Sequence, residues 1–390
     1  MNIKPDKTAI AIVVVCYNRL EATKRLLNFL LKAQYPNSNV PLIISVDCSG
    51  NEELYQYAKD FVWPYGDKIA IIRQERLGLK KHIYECGDLT QYYRGVIILE
   101  DDLFVSPAFY NYTCAAVDAY ENEPKIAGIA LYADNINGYA KGVPLNNLYD
   151  GSDGYLMQSV ITSGECFTES MWKPFREWYE KNEEIDPSPY YMPEQIKTWR
   201  RAWSKYFNIY IVQKDLYFVH PNLSVTSNCG DPGEHSIETN NFLHVRMLLD
   251  NKSFTFKPFE ESVRYDSFGN FIGLGKYVGI DDKELCVDLY GNKNNILSQR
   301  YWLTPYQEPY KIEKSFSLIL EPMEANVIYN LEGKDLFLYD TSIRTSNKQK
   351  KELTYNQLSY HIKGLDYKIL LRYLTIKIAK MAKTKIKRLF

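Results

Sequence analysis

The chain has 390 residues, 45% of them hydrophobic, with 47 Lys and Arg against 48 Asp and Glu and a formal net charge of -1. It is too long and too apolar to be a disordered segment or a small disulfide-stapled scaffold, and too neutral overall to be a nucleic-acid binder. The charge is uneven: eight cations and no acid lie beyond Tyr367, leaving a body of 39 cations against 48 acids and a strongly basic tail.

Ala9 to Val15 is an unbroken apolar run rich in β-branched residues, which predicts a strand buried on both faces. Asn18, three residues before Glu21, has the spacing of a capping box, and Leu26, Leu27, Leu30 and Leu31 form the stripe of the helix it opens. Leu42 to Val46 predicts a second strand, Glu52 to Phe61 a helix, Ile69 to Ile72 a third strand and Val96 to Leu99 a fourth. Ser106-Pro107 has the pattern of an N-cap followed by the first helical residue, predicting a helix to Tyr120, and Ile126 to Leu131 is another strand. Strands alternating with helices from 9 to 131 imply an α/β chain with a doubly wound, mostly parallel sheet.

From Asp134 to Asn240 the periodicity weakens, with helices predicted near 169–182 and 193–206, whose tryptophans at helical spacing belong to the core. Thr226 to Asn240, rich in Asn, Gly, Asp and Pro, predicts a mobile loop. Beyond 255, Phe316 to Leu320, Val327 to Tyr329 and Leu336 to Tyr339 predict a small β-rich unit. The expected domains are therefore 1–250 (halves 1–131 and 132–250), 251–345, and a linker with a basic amphipathic helix, 346–390. In that helix Leu371, Leu374 and Ile378 define the apolar face.

The chemistry concentrates in Val96-Ile-Ile-Leu-Glu-Asp-Asp102, three acids at the carboxyl end of a buried strand, where open α/β sheets bind ligands. Adjacent carboxylates repel one another, and a divalent cation offsets that charge; Mg²⁺ or Mn²⁺ takes one or two protein carboxylates together with phosphate oxygens. A solvated acidic turn would carry the same residues. Cys16-Tyr-Asn-Arg19 and Ser45-Val-Asp47 end strands on the same sheet edge.

Val15-Cys-Tyr-Asn-Arg19, Ser45-Val-Asp-Cys48 with Asn51-Glu-Glu53, and Glu100-Asp-Asp-Leu-Phe-Val-Ser-Pro107 with Phe109 together resemble the nucleotide-sugar half of GT-A glycosyltransferases. They are most similar to the N-acetylglucosaminyltransferase I group and bacterial family 2-like enzymes. The resemblance implies that Arg19 lies near the nucleotide, that Asp47 accepts the uracil N3–H, that Glu100 and Asp101 line the sugar and ribose, and that Asp102 binds the metal. It also implies that His82 contacts the base, unless it is an ordinary core or surface histidine. Asp134 would face the donor sugar, and His235, in the loop Ser227 to His235, would reach a phosphate. The animal enzymes place the catalytic Asp between tryptophans, but Trp199-Arg-Arg-Ala-Trp203 has no acid. Glu194, then Glu165, then Asp186 are the candidate bases, although each also reads as a capping or surface carboxylate.

The implied activity is metal-dependent, inverting transfer from a UDP-sugar to a glycan or lipid-linked oligosaccharide in bacterial capsule or lipopolysaccharide synthesis. Two rivals stand beside it: a non-catalytic carbohydrate-binding or assembly protein of the same fold, and a sugar-phosphate nucleotidyltransferase. The latter needs a Gly-rich loop after the first strand, and Tyr17-Asn-Arg19 contains no glycine. Seven scattered cysteines, a polar Met1 to Lys7 without a signal core and no membrane-spanning run lead us to expect a cytoplasmic protein. The basic helix would hold it on the anionic inner face of the plasma membrane; packing on its own domain or on a second subunit, as a homo-oligomer, is the alternative.

Overall fold

The apolar run at the start of the chain forms β1 (Asp6–Cys16), whose residues from Ala9 onward are buried. The computed structural model describes residues 3–36, 39–200, 202–231, 243–293, 298–364 and 366–387. Contacts divide the chain into two compact units, Met1–Gly273 with Asn292–Asn294, and Leu274–Gly291 with Asn295–Phe390.

In the first unit β1 is followed by α1 (Leu20–Lys32), β2 (Leu42–Val46), α2 (Glu52–Asp60), β3 (Lys68–Ile72), α3 (Leu79–Gly87) and β4 (Tyr93–Glu100). Next come β5 (Leu103–Val105), α4 (Phe109–Tyr120), β6 (Ile126–Ala130), the short pair β7 (Ile136–Asn137) and β8 (Val143–Pro144), β9 (Gly154–Met157) and β10 (Glu165–Thr168). The unit closes with α5 (Glu169–Lys181), α6 (Glu194–Thr198), α7 (Trp203–Lys214), β11 (Tyr217–Pro221), β12 (Thr226–Asn228) and β13 (Arg264–Tyr265). The central sheet has nine strands in the order β13-β9-β11-β6-β10-β4-β1-β2-β3. β4, β1, β2 and β3 pair in parallel, while β10 runs antiparallel between β4 and β6. This is the α/β, mostly parallel GT-A architecture that the resemblance implied.

The aromatics of the middle segment are core, as their spacing predicted. Phe175 lies 4.2 Å from Phe207 and 5.4 Å from Trp172, ring centre to ring centre. Gly87 makes room for this cluster, since a Cβ there would stand 2.2 Å from the Trp172 ring.

Several local expectations give way. Asn18 does not cap α1, whose N-cap is Arg19 without a side-chain cap; the Asn18 Oδ1 instead accepts from the Asn51 Nδ2 at 2.9 Å. α4 starts at Phe109 rather than Pro107, because the Ser106 hydroxyl accepts the Ala108 N–H in a preceding turn. The expected helix over 193–206 is split into α6 and α7, with extended backbone at Trp199 and Ala202. The first unit runs past 250 to Gly273, because β13 pairs with β9 and Phe256 packs against Tyr112 and Tyr120.

The second unit contains α8 (Gly275–Val278), β14 (Leu285–Val287), β15 (Tyr301–Thr304), β16 (Tyr310–Phe316), α9 (Met323–Ile328), β17 (Leu336–Arg344), α10 (Tyr355–Ile362) and α11 (Tyr367–Lys387). Its sheet has the order β14-β15-β17-β16. Val327 falls in α9 rather than in a strand, since the Asn326 side chain binds the Ile319 and Leu320 N–H groups and the Leu320 and Met323 carbonyls, closing a turn around the helix start. α11 leaves Leu371, Leu374 and Ile378 exposed, but Ile369, Tyr373 and Ile376 are exposed too. At 100° per residue those three fall on the opposite side, so the apolar positions are not confined to the single face expected. Among the described residues no helix is long and apolar enough to cross a membrane.

Candidate active site

The parallel register sets the three motifs side by side: Val15 stands opposite Ser45 on β2 and opposite Glu100 on β4. The residues just beyond, Arg19, Asp47, Asp101 and Asp102, therefore leave the sheet on one edge. Arg19 opens α1, and its carbonyl accepts the Thr23 N–H at 3.0 Å. Its guanidinium donates Nη2–H to the Asp101 Oδ1 and Nη1–H to the Asp102 Oδ2, the latter at 3.1 Å. Arg19 thus pairs with two of the three acids.

Burial pushes Glu100 up to about 8, with repulsion from Asp102 and Asp101 adding to it. Burial also raises Asp101, to about 6, against the downward pull of Arg19. Asp102 is held from behind: its carbonyl accepts the Cys229 N–H at 2.8 Å, where the β5–β12 ladder ends. Among the described residues no donor meets its Oδ1.

These groups suit a hard divalent cation. The donors are carboxylate oxygens, the cluster is under-neutralised, and Asp102 keeps an oxygen clear of Arg19. No group of three or more His, Cys, Asp or Glu gathers as a metal cage among the described residues. The protein would therefore supply few ligands and leave the rest to phosphate and water.

The remaining candidates differ in placement. Asp47 is only 3% exposed and is held by three main-chain N–H groups. Its Oδ1 accepts the Cys48 and Leu77 N–H groups, both at 2.8 Å, and its Oδ2 accepts that of Gly78 at 2.9 Å. It thereby ties the end of β2 to the start of α3, where Gly78 takes a φ of 74°. His82 is a core histidine: burial lowers it to about 4, and its Nε2 lies 2.7 Å from the Ser45 Oγ beneath the sheet edge.

Glu165 is buried on β10 opposite Ile98 of β4. Burial, then the charge of Glu100, pushes it well above the usual carboxylate range, and its Oε2 meets no partner among the described residues. Glu194 is exposed in the first turn of α6, paired with Lys197 at 2.8 Å. Asp186 is exposed and held below its ordinary range by accepting the Ser188 N–H. Neither is brought to the sheet edge by a contact. His235 lies outside the described residues.

Asp134 follows β6 on the same edge as Glu100. It is half-buried, meets no hydrogen-bond donor among the described residues, and is pushed up to about 7 by burial alone. Two further residues escaped the sequence reading. Arg25 of α1 forms an ion pair with Asp231, and its guanidinium sits 5.5 Å from the Phe104 ring, so the segment after β12 is fastened beside the acid motif. No local pattern joins residues more than 200 positions apart. A groove of about 1200 Å³ lies instead at the opposite end of β1, lined by Thr8, Arg94, Tyr110 and Phe254 among others, and carries no such cluster.

Residues 11–181 match the model of glycosyl transferase family 2. The matched segment is a little under half of the chain. It contains Arg19, Asp47, the acid triad, Asp134 and Glu165. Among solved structures, the chain is similar to S. aureus TarS 1-349 in complex with UDP-GlcNAc, at 14% identity and a TM-score of 0.39, covering 58% of this chain and 60% of that one. It is also similar to GalNAc-T7 with UDP, GalNAc and Mn²⁺, at 14% identity and a TM-score of 0.38, over 55% and 42% of the two chains. A third is the mannosyltransferase PcManGT from Pyrobaculum calidifontis with GDP-Man and Mn²⁺, at 15% identity and a TM-score of 0.29, over 50% and 53%. The chain thus spans about three-fifths of the TarS structure it matches. No curated protein sequence matches it.

Proposed function

We propose that the chain transfers a sugar from a nucleoside-diphosphate sugar, UDP-linked, to a glycan or lipid-linked oligosaccharide of a bacterial surface polysaccharide, by single displacement with inversion. The observation that carries this reading is the acid triad at a strand edge within the segment that matches the family 2 model, with Asp102 presenting a carboxylate oxygen that meets no donor among the described residues. Asp102 would hold Mn²⁺ or Mg²⁺, with Glu100 and Asp101 behind it. When bound, the ion offsets the charge of the departing diphosphate.

The protein's own residues prepare that edge. Arg19 fixes the two aspartates and adds positive charge where phosphates would lie. Asp47 holds the turn beside the nucleotide position, and its Oδ2, with one N–H bound, has an acceptor position left for the uracil N3–H. The loop between β1 and α1 has no glycine, which disfavours the nucleotidyltransferase alternative. The UDP linkage and the acceptor class rest on the sequence resemblance. Contact with the inner membrane face is supported by α11, where Leu371, Leu374 and Ile378 are exposed on a helix rich in lysine.

The test is turnover of UDP-glucose, UDP-galactose, UDP-GlcNAc, UDP-GalNAc and GDP-mannose with Mn²⁺ or with EDTA. Release of nucleoside diphosphate from one of them, abolished by EDTA and by Asp102→Ala, supports the reading. A wild-type protein that binds none of them favours the non-catalytic alternative.

A further inference from the structure

Resting on that reading, we propose that Asp134 is the general base that takes the proton of the acceptor hydroxyl.

The sheet geometry places it. Glu165 pairs with Ile98 of β4 on one side and with Ala130 of β6 on the other. Continuing that register brings residue 132 level with Glu100, two strand spacings away, roughly 10 Å. Asp134 lies two residues further on, four past the end of β6, on the same edge.

A chain of hydrogen bonds joins the segment that carries Asp102 to the one that carries Asp134. The Asp102 carbonyl accepts the Cys229 N–H, the Cys229 carbonyl lies 3.2 Å from the His244 Nε2, and the His244 carbonyl accepts from the Asn135 Nδ2 at 3.4 Å. Asp102 and Asp134 therefore lie on segments joined to one another at the same sheet edge.

The backbone around Asp134 is pinned. The Ala133 N–H donates to the Ser224 Oγ at 3.0 Å, the Asn135 carbonyl accepts the Leu145 N–H at 3.1 Å, and the Tyr132 hydroxyl donates to the Leu243 carbonyl at 3.0 Å. The carboxylate itself meets no donor among the described residues, so a rigid frame presents an unengaged base. Tyr132 on its own segment, Tyr139 beyond β7 and Tyr155 on β9 lie within reach of its charge, and His244 stands at the rim. No cation among the described residues perturbs it. Glu194 and Asp186, by contrast, are exposed and already partnered.

In the step, the Asp134 carboxylate takes the acceptor O–H proton and the acceptor oxygen forms the bond to the sugar C1. The bond from C1 to the diphosphate oxygen breaks, its electron pair leaving with the nucleoside diphosphate. Positioned general bases contribute about 10²–10⁴-fold.

The experiment uses the full chain with Mn²⁺ and the UDP-sugar that the wild type turns over, with water as acceptor, following UDP release from pH 5.5 to 9. In the wild type kcat/KM should rise with pH through about 7, the deprotonated carboxylate being the active form. Asp134→Asn should bind UDP and the UDP-sugar within twofold of wild type and release UDP at least about 100-fold more slowly. Sodium formate should restore part of the rate of Asp134→Ala. Turnover by Asp134→Asn within threefold of wild type, no rescue of Asp134→Ala by formate, or lost UDP binding overturns the proposal while leaving the glycosyltransferase reading intact. A wild type that neither binds nor hydrolyses any UDP-sugar overturns that reading as well.

Discussion

Replacing Asp134 with Asn should stabilise the protein, and by more as the pH rises. The Asp134 carboxyl is pushed by burial from its usual 3.8 to about 7. A group raised in the folded state contributes most below its unfolded value and loses that contribution as pH rises through the folded one. Three units of difference amount to about 4 kcal/mol once the group is fully ionised. Between pH 5 and pH 8 the growing cost is about 2–3 kcal/mol. Asn has nearly the same shape and stays neutral, and among the described residues no hydrogen bond to the carboxylate is lost. For a unit of this size about 2 °C accompanies each kcal/mol, so the Tm advantage of Asp134→Asn should widen by about 5 °C from pH 5 to pH 8. Glu100 and Asp101 titrate in the same window, but they are present in both proteins and cancel. The assay is differential scanning calorimetry of both proteins without metal or nucleotide. An advantage that does not change with pH, or a variant less stable than wild type at pH 8, would refute the reasoning that the carboxylate is desolvated and unpartnered. Stability gained by removing a side chain that does chemistry is the usual trade at active sites.

Three other outcomes follow. Asp47→Ala strips the acceptors from the Cys48, Leu77 and Gly78 N–H groups; it should cost at least about 2 kcal/mol in urea unfolding and weaken UDP binding. Gly87→Ala forces a methyl against the Trp172 ring and should lower stability by about 1–3 kcal/mol while Gly95→Ala, whose Cβ has ordinary room, costs less. Deleting residues 367–390 should leave the Tm within about 2 °C, since the described α11 side chains are mostly exposed; co-sedimentation with vesicles containing phosphatidylserine should be lost, and unchanged sedimentation would remove the helix from the membrane account.

The parallel half of the sheet was legible because β1, β2 and β4 are apolar runs buried on both faces, a pattern few other structures produce. The acids of 100–102 stood out for the same reason, as charge directly after such a run. Short elements were less legible. Val327 to Tyr329 is too brief for period two to be told from period 3.6, and the tertiary demand of Asn326 decided for helix. Asn18 has a capping residue's chemistry, yet a partner 33 positions away took its side chain. His82 and Glu165 could be named from the chain, but their burial could not, since it depends on which strand covers them. Asp134 was expected from the chain to face the donor sugar. Its distinction among the acids comes from missing partners and from a hydrogen-bonded rim running through Cys229 and His244, neither of which any local pattern encodes.

The central claim is most directly tested by calorimetric titration of UDP into the wild-type protein and into Asp102→Asn, each with and without Mn²⁺. The account predicts binding that requires Mn²⁺ in the wild type and is lost in Asp102→Asn. Equal Mn²⁺-dependent binding by both proteins, or no UDP binding by the wild type in the presence of the ion, would contradict it.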